Sequence, residues 1–201
     1  NGFKMRTRDD QFRFQVGGRI QHDWGLFSES HTFKSAIGQQ ENGSRFRRVR
    51  FFMAGLLNKI IKFKFDIDVG DGSNGVAFKD MYLGIIRIPV LGNFQVGHFK
   101  RPASLDSLTS SNYLTFIERS LANTFFKTRN TGFSVYNNAL NKRLNWTIFI
   151  NKETSENPPE FRMDGDWNIT SRVSGAPYYS DDGKRWFHLG ISWSYEKSTK
   201  N

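Results

Sequence analysis

Every second residue from Phe12 is apolar or small: Phe12, Phe14, Val16, Gly18 and Ile20. Between them stand Arg13, Gln15, Gly17, Arg19 and Gln21. A period of two marks a β-strand with unlike faces, because successive side chains point to opposite sides of the sheet. The pattern returns as Phe63, Phe65, Ile67 and Val69 against Lys62, Lys64, Asp66 and Asp68. In a water-soluble sheet the apolar face is core. In a transmembrane barrel it meets lipid, and the charged face lines a water-filled lumen. The alternation alone admits both.

Charge narrows the partners. The 201 residues carry 29 Lys and Arg against 19 Asp and Glu, a net charge of +10. Such an excess attracts nucleic acid, an anionic membrane surface or small oxyanions. With no cysteine in the chain, disulfides and thiolate metal sites are excluded. No apolar run approaches the roughly 20 residues of a spanning helix. The longest, Met81–Val90, is broken by Gly84, Arg87 and Pro89. Asn1 opens directly into Lys-, Arg- and Asp-rich sequence, so an exported protein would be met here in its mature form. The four histidines lack metal-ligand spacing, and Asp66–Gly72 lacks the bidentate Glu of a calcium loop and reads as a hairpin turn. No Gly-x-Ser-x-Gly elbow, phosphate-binding Gly-Lys-Ser/Thr loop or His-Glu-x-x-His pair is present. The chain is read as a non-enzyme that needs no cofactor.

Gly, Asn, Asp and Pro divide the chain at hairpin spacing. Strands are expected near 11–24, 45–57, 60–69, 77–88, 93–100, 131–139, 143–151, 167–176 and 185–196. Turn signals stand at Gly70–Gly75, Asn157-Pro158-Pro159 and Asp181-Asp182-Gly183. One segment breaks the rhythm. Residues 102–121 have no period of two, and Ser111–Leu121 reads as a short helix. With Leu105, Leu108, Tyr113, Leu114, Phe116 and Ile117 it is too apolar for a free linker. A long excursion of this kind is expected to pack inside a barrel. Nine strands is an odd number, and bacterial single-chain barrels use even ones. The chain ends Ser198-Thr199-Lys200-Asn201 without a closing aromatic strand, so a partial barrel is expected.

Val16-Gly17-Gly18-Arg19-Ile20-Gln21 followed by Phe46-Arg47-Arg48-Val49-Arg50 resembles the phosphate-selective porin O and P family. Val96-Gly97-His98-Phe99-Lys100, Thr109-Ser110-Ser111, Ile117-Glu118-Arg119, Arg172–Pro177 and His188-Leu189-Gly190 follow in the same order. The resemblance covers nearly the whole chain and matches the N-terminal part of the family's sixteen-stranded, trimeric outer-membrane barrel. It implies an all-β antiparallel transmembrane β-barrel, with 102–121 folded inward as a constriction loop. It also implies an anion channel lined by an arginine ladder. Carried over by position, Arg19, Arg48 and Arg119 are constriction arginines and Arg47 a neighbouring rung, while Ser110 and Ser111 offer hydroxyls to phosphate. Three positions depart from the family: Lys79 stands where an acidic residue is usual, Arg50 at an aromatic position and Ser107 at a lysine position. Lys79 and Arg50 thus join the candidate lining.

Guanidinium groups suit phosphate because their forked donors match its oxygens. Alternation puts Arg48 and Arg50 on one face of their strand and Val49, Phe51 and Met53 on the other. Arg47 then falls on the apolar parity, where at bilayer depth an Arg costs about 2–4 kcal/mol. An interface, a trimer contact or a local bulge would relieve it. Lys62 and Lys64 alternating with Asp66 and Asp68 read as a cross-strand charge lattice. The reading is thus a homotrimeric outer-membrane porin, in contact with outer-membrane lipid, that passes phosphate or other small oxyanions. A general anion porin and an outer-membrane scaffold are its alternatives. A soluble basic β protein that binds nucleic acid is the remaining rival.

Overall fold

The computed structural model describes residues 2–70, 75–152 and 167–197. They form ten strands: β1 Phe3–Arg6, β2 Arg13–Gly25, β3 Gly43–Leu57, β4 Ile61–Asp68, β5 Ala77–Ile88, β6 Gly92–Lys100, β7 Arg129–Ala139, β8 Leu144–Lys152, β9 Trp167–Tyr179 and β10 Trp186–Tyr195. Each strand pairs antiparallel with the next, in one open sheet with β1 and β10 at its edges. The nine expected strands are all present with ends shifted by a few residues. β1 is an addition. Its four residues alternate, Phe3 and Met5 against Lys4 and Arg6, but are too few to stand out as a strand by pattern. A polar turn docks it on β2: Asp9 Oδ1 accepts from Thr7 Oγ1 at 2.5 Å and from the Gln11 amide at 3.1 Å. Residues 71–74 of the expected turn at Gly70–Gly75, the expected turn at Asn157-Pro158-Pro159 and the terminal Ser198–Asn201 lie outside the described residues.

The sheet's burial is inverted relative to a soluble domain. Ile20 on β2, Val173 on β9 and Ile191 on β10 are 72%, 47% and 74% exposed. Apart from His98, the buried strand residues sit on the opposite face and are mostly polar. Ser134, Phe149 and Thr170 form one cross-strand row over β7, β8 and β9, and Asn151 pairs with Asn168 a step further on. Phe99 packs on Phe149 with ring centroids 4.8 Å apart. The large exposed apolar surface thus runs along the outside of the sheet, as a barrel wall presents it to lipid.

The connection from β6 to β7 explains that buried polar face, because it lies across it. At its root Arg101, 2% exposed, donates Nε to Thr170 Oγ1 at 2.8 Å and its terminal nitrogen to Glu196. Ser192 donates to the carbonyl of Ala103. These bonds tie the segment to β9 and β10. Further along it reaches β2 and β3, on the other side of β6, through Arg19 and Arg47. A segment that touches both flanks of the sheet on one face requires that face to be concave.

Helix forms there, but not over Ser111–Leu121 as expected. A single turn, α2, spans Leu105–Leu108 after α1 (His31–Ile37) in the β2–β3 connection, and a 3-10 turn covers Leu121–Phe125. The cap is Ser104, whose side chain accepts from the Ser107 amide at 3.0 Å. Residues 111–120 remain irregular, and their polar side chains bond across to the wall or back to α2 instead of capping a helix of their own.

Candidate functional site

The strand residues of the site follow from the β2–β3 register. Arg19 lies opposite Arg50, and Gln21 opposite Arg48. The next pair is His22 with Phe46, so Arg47 is an extra residue in a β-bulge. An extra residue breaks strict alternation and re-aims its side chain. Arg47 therefore joins Arg48 on the charged face, where it meets Asp23 at 3.5 Å and Glu118 of the crossing segment. The misplaced parity of this arginine is relieved by the bulge.

The five guanidinium groups have unlike partners. Arg50 is held by Asp68, Nε to Oδ2 at 2.7 Å, while Asp68 Oδ1 also accepts from the Val49 amide. Arg47 is shared between two carboxylates. Arg48 donates to the neutral amide oxygen of Gln21 at 2.7 Å. Arg19 donates to Ser111 Oγ at 2.5 Å and to the side-chain oxygen of Asn112. Among the described residues neither Arg19 nor Arg48 forms an ion pair with a carboxylate, so their charge is less neutralised than that of Arg47 or Arg50. Like charges directly opposite are unfavourable. At Arg19 and Arg50 the repulsion is offset by Asp68.

Arg119 stands apart from the others. Its guanidinium turns back into its own segment, to the carbonyl and carboxylate of Asp106 and to the Thr109 carbonyl at 2.6 Å. It braces the loop that carries Ser110 and Ser111. Asp106 completes the brace by accepting from the Ser120 amide at 3.2 Å and hydroxyl at 3.0 Å. Ser111 meets Arg19, whereas Ser110 Oγ accepts from the Asn112 amide at 3.3 Å.

Between wall and loop lies an open cavity of about 320 Å³, lined by the cations Arg19, Arg50 and Lys64, by one carboxylate, Asp66, and by Gln15 and Ser110 among others. It has room for a small hydrated oxyanion, since one water occupies about 30 Å³. Gly17 helps to shape it. The Phe52 ring lies across this glycine, and a Cβ there would meet the ring at 2.8 Å.

Two departures from the family pattern take a different form in three dimensions. A bulge between Phe65 and Ile67 sets Lys79 and Asp80 together opposite Asp66. Beside Lys79, Asp80 supplies a carboxylate that meets Lys64 at 2.6 Å and Arg129 at 2.8 Å. Ser107 is buried in α2, and a cation reaches its carbonyl from Lys100 at 2.6 Å. Lys100 also binds the carbonyls of Leu108 and Thr109. The lattice expected of β4 is present at Lys64, which meets Asp66 at 3.3 Å as well as Asp80. Lys62 instead stacks over Tyr82, 5.1 Å from the ring centre. Lys100 and Arg101 also belong to the site, and no strand alternation singles them out. Their signal was adjacency: two cations just before Pro102, at the point where alternation stops.

A meander with an exposed apolar outside, a cationic concave face and a segment laid across it defines a porin-type β-barrel wall. The chain belongs to the phosphate-selective porin O and P family, whose family model matches residues 14–201. It is similar to Porin O of Pseudomonas aeruginosa, 24% identical over 200 residues that cover 96% of this chain and 44% of that protein. The chain thus spans less than half the length of this curated relative.

Proposed function

We propose that this chain forms the N-terminal part of an outer-membrane porin that passes phosphate-like oxyanions passively, with its concave face lining the pore. The observation that carries the reading is the pair Arg19 and Arg48, cationic and without an ion-paired carboxylate among the described residues, beside a loop that offers Ser110 and Ser111. An anion entering between them exchanges water for charge-assisted hydrogen bonds, and neighbouring guanidinium groups let each contact be replaced before the last is lost. Conduction needs binding favourable enough to enter and weak enough to leave. Partial neutralisation of Arg47 and Arg50 by Glu118 and Asp68 fits that need. In this reading Arg119 acts by holding the loop, and the direct contacts fall to Arg19, Arg48 and the loop hydroxyls.

The test is phosphate block of chloride current through the full-length protein in planar bilayers. A charged hydrogen bond contributes about 1.5–3 kcal/mol, so Arg48→Ala should weaken the block about tenfold or more. Block that is absent from the wild type, or unchanged in Arg48→Ala, overturns the reading.

A further inference from the structure

The crossing segment brings one carboxylate directly onto the arginine cluster. Glu118 binds a terminal nitrogen of Arg47, and its side chain is 65% exposed while that of Arg47 is 11% exposed. The Arg47 guanidinium is thus fixed in the wall, and the carboxylate approaches it from the open side. On the wall side, among the described residues, the carboxylate that Arg47 meets is Asp23, at the longer distance of 3.5 Å. Arg48, the next residue, has a neutral partner. The geometry points to Glu118 as a selectivity-determining residue, a tethered carboxylate that occupies the anion position on Arg47 and competes there with the permeating oxyanion.

This inference rests on the proposed function and deepens it. A carboxylate presents to a guanidinium the same pair of oxygens that a phosphate presents. An exposed ion pair is held weakly, because water and salt screen it. An incoming divalent oxyanion therefore displaces Glu118 from Arg47 more readily than chloride does, since it brings more charge and several acceptors. While Glu118 is seated, Arg47 adds little to the field in the cavity. Once it is displaced, Arg47 and Arg48 act together as adjacent donors. Glu118 is ionised throughout the neutral range, as a carboxylate of ordinary pKa is, and the hydrogen bond from Arg47 lowers its pKa further. Arg48 and Arg45 add to that effect.

The experiment measures phosphate block of chloride current for wild type, Glu118→Gln and Glu118→Asp in the full-length protein. Glu118→Gln keeps the shape and removes the charge. It should tighten the block about threefold or more in about 0.1 M salt, with most of the gain lost in about 1 M salt, where the Debye length falls to about 3 Å. Glu118→Asp should behave like the wild type. An unchanged block in Glu118→Gln overturns the inference. So does a gain that is equal at both salt concentrations or shared by Glu118→Asp, because that reports a displaced loop and not a lost charge. Wild-type channels that phosphate does not block would remove the parent reading, and this one with it.

Discussion

Arg101→Met tests how the crossing segment is held. The guanidinium is 2% exposed and joins the loop root to Thr170 at 2.8 Å and to Glu196. Breaking a fully buried ion pair costs about 3–5 kcal/mol, because the abandoned charge cannot be hydrated. Glu196 is 54% exposed, so its freed carboxylate does reach water. Thr170 retains a hydrogen bond from Ser194 Oγ at 3.2 Å. Both facts lower the cost toward the range for charged hydrogen bonds, and about 2–3 kcal/mol is expected. Methionine fills part of the vacated volume and adds no new charge. If this energy is spent on the loop alone, the detached population rises about 30- to 150-fold. In single-channel recordings the current should become noisier and its mean conductance should rise. Urea unfolding of the detergent-solubilised protein should show a lower midpoint with little change in slope, since the surface exposed on unfolding is nearly the same. A variant with a quiet, unaltered current and an unshifted midpoint would refute the claim that Arg101 anchors the loop.

Two further outcomes follow from the same geometry. Ile20→Arg places a cation on the exposed apolar face near the middle of β2, where contact with lipid would make it cost about 2–4 kcal/mol. Gln15→Arg on the charged face should be tolerated, and equal yields of folded protein in liposomes for the two variants would contradict a lipid-facing outside. The second outcome concerns acid. Glu118 has a depressed pKa in the folded protein through its bond from Arg47. The stability of that contact is therefore fully present above the ordinary carboxylate pKa and is lost as pH falls through the lower, folded value. Chloride conductance of the wild type should converge on that of Glu118→Gln only below the usual carboxylate range, and convergence near neutrality would be inconsistent with this pairing.

The strands were legible because each has unlike faces, and a two-residue period survives composition that is polar on average. β1 escaped notice because four residues hold too few alternations to be distinguished from chance. Arg47 shows the reverse case. Its position in the pattern was read correctly, but the face it occupies depends on a bulge, and a bulge is set by how two strands pair rather than by either strand alone. The helix expected at Ser111–Leu121 failed for a similar reason. Local propensity favoured it, while the tertiary bonds of Ser111 to Arg19 and Glu118 to Arg47 favoured an irregular path. At the site, the types of residue were visible as an excess of arginine. Which of them keep free charge was not, because that depends on partners as distant in sequence as Asp68 for Arg50 and Glu118 for Arg47. For Arg119 the sequence does not carry the direction of the side chain, which the bonds to Asp106 and Thr109 set.

The central claim is that the cationic concave face selects anions. The measurement that addresses it most directly is the reversal potential of the full-length protein in a planar bilayer under a potassium chloride gradient. A potential close to the chloride equilibrium value is predicted. A potential close to the potassium equilibrium value would contradict the account, whatever the behaviour of individual variants.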